Sequence, residues 1–269
     1  MKKIISAILA MVMLVMCFGA CSTQTGETSY DNLAIACELT SEEYGIAFRK
    51  GSDLVAEVDK IMDQLNADGT LAQLAEKYNL TLVEDAQPNN NEEVTVSDIE
   101  YIKANGKLVI GITDYEPMNY KDDKGEWTGF DTEFAIAVCE ILGVEPVFVE
   151  IDWDSKFLAL DAKTIDCIWN GMTISEEVLN NTSCSKAYVK NAQVVVLPAE
   201  KVAEFKTPAD MKALTFAVEA GSAGATAADE NGFTKVEVAA QTDALVEVQS
   251  GSSDACIIDI TMANATIGK

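Results

Sequence analysis

Short apolar runs of strand length alternate along this chain with longer stretches whose apolar residues recur every three or four positions. That alternation constrains the fold more than any other feature. Residues 33–37, 44–48, 107–112, 145–151, 166–169, 192–197, 215–218 and 254–258 read as strands. Leu54, Val55, Val58, Ile61, Met62 and Leu65 share one helical face, with Ser52 as the expected cap and Asp68-Gly69 as the stop. Thr70 is expected to cap a second helix carrying Leu71, Leu74, Ala75 and Tyr78. Residues 97–105 and 155–160 read as helical. Gly129-Phe130-Asp131 opens a helix through Leu142 that Asp131 is expected to cap and Gly143 to end. Strands alternating with helices imply an α/β fold with mostly parallel sheets flanked by helices.

The ends and the charge narrow the setting. Lys2 and Lys3 precede an apolar run over residues 4–18, and Phe18-Gly19-Ala20-Cys21 follows. Charged head, apolar middle and small residues before a cysteine predict a signal peptide over 1–20, cut before Cys21. Lipid on the Cys21 thiol would then hold the protein at the outer face of a cell membrane, through a polar tether over 21–31. The formal charge is -25 with no His. Such a surface repels phosphate backbones, so nucleic acid is not an expected partner. Lack of His argues against most metal sites and His-dependent catalysis, and no cofactor or metal is expected. Cys37, Cys139, Cys167, Cys184 and Cys256 are odd in number, three of them lie in apolar runs, and they read as reduced thiols. The stretch 84–93 holds Pro88 and three Asn and reads as a linker.

The stretch Lys107-Leu-Val-Ile-Gly-Ile-Thr-Asp-Tyr-Glu-Pro-Met-Asn-Tyr120, followed by Trp127-Thr-Gly-Phe-Asp131, resembles the bacterial family 3 solute-binding proteins of polar amino-acid ABC importers. Trp153, Asp166, Gly171-Met172-Thr173 and Ala187-Tyr188 continue the likeness, as do Phe216-Ala-Val-Glu-Ala-Gly-Ser222 and Asp254-Ala-Cys-Ile-Ile-Asp259. The resemblance implies a two-lobe clamshell of the type II periplasmic-binding-protein fold that captures a small solute by closing, with no covalent chemistry. The expected partners are the solute and a membrane permease. Alternatives on the same fold are a ligand-sensing module and a small lyase or dehydratase.

The order of segments departs from the family. Glu43-Tyr-Gly-Ile-Ala-Phe-Arg-Lys-Gly-Ser-Asp53, with its helix and Asp68-Gly69-Thr70-Leu71, resembles the family's C-terminal part but stands here at the front. This reads as a circular permutation in a monomer, the linker at 84–93 joining the usual ends. Lobe two would comprise 32–42 and 193–269, lobe one 46–189, with crossings near 41–45 and 190–192. The alternative is a truncated duplication whose halves complete each other between two molecules.

By the resemblance, Tyr115 and Trp153 are aromatic walls of the ligand site. Asn170, Gly171 and Thr173, around Met172, offer backbone groups and a hydroxyl. Asp259 pairs with an amino group, and Gly221, Ser222 and Ala223 present N–H groups to an anion. Asp114 and Glu116 are expected in the cleft as well. Two departures matter. The family's carboxylate-binding arginine falls at Val178, and Glu219 stands where relatives carry Gln or Lys. The chain's one arginine, Arg49, falls away from the cleft. The expected site is therefore acidic with no assigned cation, and takes an amine-bearing ligand that lacks an α-carboxylate or holds it by backbone N–H groups. Lys186 and Lys190 are the candidate replacements for the arginine.

Overall fold

The structure, a computed structural model, describes residues 29–89 and 93–268. Cys21, the leader over 1–20 and most of the tether lie outside the described residues. The first segment forms β1 (Leu33–Glu38), β2 (Glu42–Phe48), α1 (Leu54–Ala67) and α2 (Thr70–Tyr78). After the linker come α3 (Asp98–Asn105), β3 (Lys107–Ile112), a small hairpin of β4 (Tyr120–Lys121) and β5 (Trp127–Thr128), and α4 (Phe130–Leu142). Then follow β6 (Glu145–Glu150), α5 (Lys156–Asp161), β7 (Cys167–Thr173), α6 (Glu176–Asn181), β8 (Ser183–Cys184) and β9 (Val189–Asn191). The last part holds β10 (Gln193–Pro198), β11 (Thr215–Glu219), α7 (Ala223–Glu230), β12 (Thr234–Val238), α8 (Gln241–Ser250), β13 (Ala255–Asp259) and α9 (Ile260–Thr266).

These strands form two principal sheets. One has the order β6-β3-β7-β2-β8, with β9 also on β2; the other runs β1-β10-β13-β11-β12. We call them, with their helices, lobe one and lobe two. Each sheet is mixed, not mostly parallel. Parallel pairing joins β3 to β6 and β7, and β11 to β12 and β13. Pairing turns antiparallel at β2 and β10. The reason is local to the crossings. The chain passes between lobes at residues 39–41 and at Ala192, and the flanking strands run side by side in opposite directions. Leu39 N donates to Gln193 O at 2.8 Å, Gln193 N donates to the Thr40 hydroxyl at 3.0 Å, and Glu42 pairs with Asn191. The first crossing comes earlier than 41–45 because β2 already begins at Glu42.

Three capping expectations fail, and for Asp131 the reason is a long-range use of the side chain. Asp53, not Ser52, stands at the N-cap of α1, and its carboxylate accepts from Ile99 N (2.9 Å) and the Ser97 hydroxyl (3.2 Å). Gly69 precedes α2, while Asp68 accepts from Thr70 N at 2.9 Å. Asp131 lies inside α4 and is fully buried, accepting from Gly171 N (2.6 Å) and the Tyr188 hydroxyl (2.9 Å). Gly143 does end α4, in the left-handed conformation that glycine tolerates. The five described cysteines are unpaired thiols, all buried except the half-buried Cys37.

Candidate functional site

A cavity of about 250 Å³ lies where the two lobes meet. Its lobe-one wall comes from the end of β7 and the turn before α5; its lobe-two wall comes from the ends of β11 and β13 and the start of α7. Strand ends converge there because every strand–helix turn of a sheet's parallel part opens on one edge. Most of the residues expected at the ligand site line it: Tyr115, Trp153, Asn170, Gly171, Met172, Thr173 and Val178 from lobe one, and Glu219, Gly221, Ser222, Ala223 and Asp259 from lobe two. Asp114 is exposed and off the cavity, because neighbours in an extended segment face opposite ways and Tyr115 takes the inward position. Glu116 and Lys190 line a separate groove beside Tyr78 and Tyr120. Lys186 pairs with Asp63 on α1 at 2.7 Å, away from the cavity.

The lobe-one wall is stiffened from behind. Asp131 holds the Gly171 amide, and burial pushes that carboxyl up to about 7. Gly171 has φ +53°, and an added Cβ would sit 2.6 Å from the Tyr115 ring. The Asn170 side chain bonds Thr113 and Asn119, and the Thr173 hydroxyl donates to Glu42 at 2.9 Å. The Gly171 N–H and these side chains are thus engaged within the protein, contrary to their expected role as free ligand groups. Tyr115 lines the cavity while its hydroxyl joins those of Tyr44 and Thr261 in a buried trio that spans the lobes.

The acids divide by how well they are satisfied. Asp259, at the end of β13, accepts from the amides of Asn191, Gln193 and Gln241. Burial, then nearby Glu42, still raises its carboxyl to about 6. Glu219, at the end of β11, is 3% exposed and has no hydrogen bond to its carboxylate among the described residues. Burial first, then Asp259, pushes it up to about 8, with Asp243 and Asp152 adding to the rise and Lys156 opposing it. A buried carboxylate without a partner costs free energy and invites a cation.

The expectation that the cleft has no cation is wrong. Lys156, 4% exposed, lines the cavity, and its ammonium donates to Gly221 O at 2.8 Å across the lobes and to Trp153 O at 3.3 Å. It lies 5.0 Å from the Trp153 ring centre. Burial lowers its pKa, while Glu177, Glu219 and Asp154 pull it back up. Thr40, Glu42, Glu177, Gln241 and Lys156 are wall residues that sequence reasoning missed. Lys156 alone carried a signal: it stands three positions after Trp153, close enough to share a face of a short helical turn. The lobes touch here closely enough that a Cβ on Gly221 would lie 2.9 Å from the Asp154 Cα.

Comparisons with known proteins agree with this geometry. Residues 108–253 match the family model for bacterial extracellular solute-binding proteins, family 3. Among curated proteins, the L-cystine-binding protein TcyJ of Escherichia coli (strain K12) is 31% identical over 122 residues, 45% of this chain and 46% of that protein. The arginine-binding extracellular protein ArtP of Bacillus subtilis (strain 168) is 30% identical over 162 residues, 58% of this chain and 62% of that one. The chain thus spans about half the length of the curated relatives it matches. The arginine-bound form of truncated ArgBP from T. maritima superposes with a TM-score of 0.59 at 33% identity, covering 62% of this chain and 79% of that one. Two lobes, a cavity between them and a family match over more than half the sequence lead to one conclusion: the chain belongs to the bacterial extracellular solute-binding proteins, family 3.

Proposed function

We propose that this protein captures a small amine-bearing, amino-acid-like solute by closing its two lobes and delivers it to an ABC permease at the outer face of the membrane. The observation that carries the reading is Glu219: a buried carboxylate, without a hydrogen bond or salt bridge among the described residues, on the wall of a cavity sized for a small solute. An ammonium group supplies what that carboxylate lacks. Asp259, held in place by three amides, is the second acceptor. Relatives named for arginine and cystine make cationic and amine-bearing amino acids the first probes. Capture and release need no covalent step, so the reading is that of a carrier and not an enzyme.

Around this core stand further readings of our own. Cys21 carries the lipid, and the tether over 21–31, of roughly 35 Å when extended, keeps lobe two near the bilayer. The chain is a permuted monomer. In favour, β1 and β2 lie ahead of the matched region 108–253 yet fill places within both sheets, β1 beside β10 and β2 between β7 and β8. Lobe two then comprises 32–42 and 193–269 and lobe one 46–189, with 84–93 joining the usual ends.

Calorimetry across pH tests the amine site. At pH 6 Glu219 holds a proton, and by pH 8 it is losing it. An ammonium ligand prefers the carboxylate, so the affinity of L-arginine or L-lysine should rise between about pH 6 and 8, with protons released on binding. Glu219→Gln should flatten that rise. In the ligand-free protein the sign is opposite: the folded state holds its proton where an unfolded Glu has lost it, so stability falls as pH climbs from about 4.5 to 8. A pH-independent affinity in wild type would remove Glu219 from the amine site.

A further inference from the structure

We infer that Lys156 is the anion-binding residue of the cleft, replacing the arginine that Val178 does not supply, and that it receives the carboxylate of a zwitterionic ligand. The inference rests on the solute-binding reading above and adds the half of the ligand which that reading left without a charged partner.

An ammonium has three donors. Two of those on Lys156 meet carbonyls, Gly221 O at 2.8 Å and Trp153 O at 3.3 Å. No carboxylate lies within ion-pairing distance of it among the described residues, although Glu177, Glu219 and Asp154 act on it from farther away. A buried ammonium held by two neutral carbonyls and the faces of Trp153 and Phe157, at 5.0 and 4.8 Å, has no ion pair to offset its burial. An anion placed at the third donor completes it.

A second feature points to the same spot from the opposite lobe. Gly221, whose carbonyl Lys156 holds, leads into α7, and Ser222 caps that helix by accepting from Ala225 N at 3.1 Å. The Ala223 and Gly224 N–H groups of the first turn have no acceptor within the helix. Ala223, which lines the cavity, brings the positive end of the helix dipole to its wall. The ammonium from lobe one and the N–H groups from lobe two thus face one volume, and a carboxylate there touches both lobes. Glu219 lines the same cavity without a hydrogen bond or salt bridge to its carboxylate among the described residues. A buried ammonium on the lobe-one wall and a buried carboxyl on the lobe-two wall, with no salt bridge between them, match a zwitterion better than a simple amine. Val178, 4% exposed, contributes only apolar wall at the arginine's position.

Because Lys156 belongs to lobe one and its Gly221 acceptor to lobe two, the ligand's anion also decides how firmly the lobes stay shut. A bare amine leaves the ammonium without an ion pair. The carboxylate should therefore slow release as well as tighten binding.

Matched pairs of probes test this by calorimetry on the full chain: L-arginine with agmatine, L-lysine with cadaverine, L-histidine with histamine. Within each pair the members differ by the carboxylate. Wild type should favour the amino acid, and Lys156→Met should weaken amino-acid binding about ten- to a hundredfold relative to the paired amine, so that the preference within each pair is lost. Lys156→Gln, which keeps a donor but no charge, should behave alike and serves if the methionine variant does not fold. Survival of the preference in either folded variant overturns the proposal. So does a wild type that binds amine and amino acid equally, which leaves the solute-binding reading standing. Binding of no member of any pair overturns that reading and the proposal with it.

Discussion

Replacing Arg49 with methionine is expected to lower the free energy of unfolding by about 3–5 kcal/mol, because it strands two buried carboxylates. Arg49 directly follows β2. Its Nε donates to both Asp98 oxygens at 3.0 and 3.1 Å, its Nη2 to Asp98 at 2.7 Å and to Asp166 at 3.1 Å, and its Nη1 to Ile165 O at 2.9 Å. The three side chains are 7%, 1% and 4% exposed. The node does more than neutralise charge. It ties the segment before the linker to α3 and β7 after it, beside the Asp53 N to Val96 O and Thr95 N to Gly51 O bonds. Arg49→Lys should recover only part of the loss, since one ammonium cannot reproduce the fork. Urea unfolding with fluorescence detection gives the value. A loss below about 1 kcal/mol would mean the node is not the staple described.

The second large effect concerns Asp259. Asp259→Asn keeps the shape and removes the charge, so an ammonium ligand loses its pairing while Asn191, Gln193 and Gln241 confront a group with donors of its own. Amine-bearing probes should bind weaker by about 2–5 kcal/mol, at least thirtyfold in Kd. Thermal melting separates this from unfolding. Binding within threefold of wild type in a folded variant would move the amine elsewhere, with Glu219 left as its acceptor.

Much of this architecture is legible in the residues. The strands were found because β-branched runs such as Gln193–Pro198 are buried on both faces and cannot be mistaken for loops. Helix α1 was found because its apolar stripe is unbroken. The walls of the cleft, Trp153, Gly171 and Asp259 among them, came from resemblance, since nothing in a lone aromatic or acid announces a cavity. What failed depended on distance in space. Asp131 reads as a cap because its long-range partners, Gly171 and Tyr188, are invisible in a local window. Lys156 was overlooked because lysines are ordinarily solvated; its burial exists only where the second lobe comes down on it. Asp114 was misplaced by adjacency to Tyr115, where alternation sends the two side chains apart.

Native mass spectrometry of gently purified wild-type protein tests the central claim most directly. The expected species is a monomer carrying one small amine-bearing solute, or accepting one equivalent from the probe panel. A dimer mass would contradict the permuted monomer. A monomer that arrives empty and takes up none of the probes would contradict the solute-binding cleft itself.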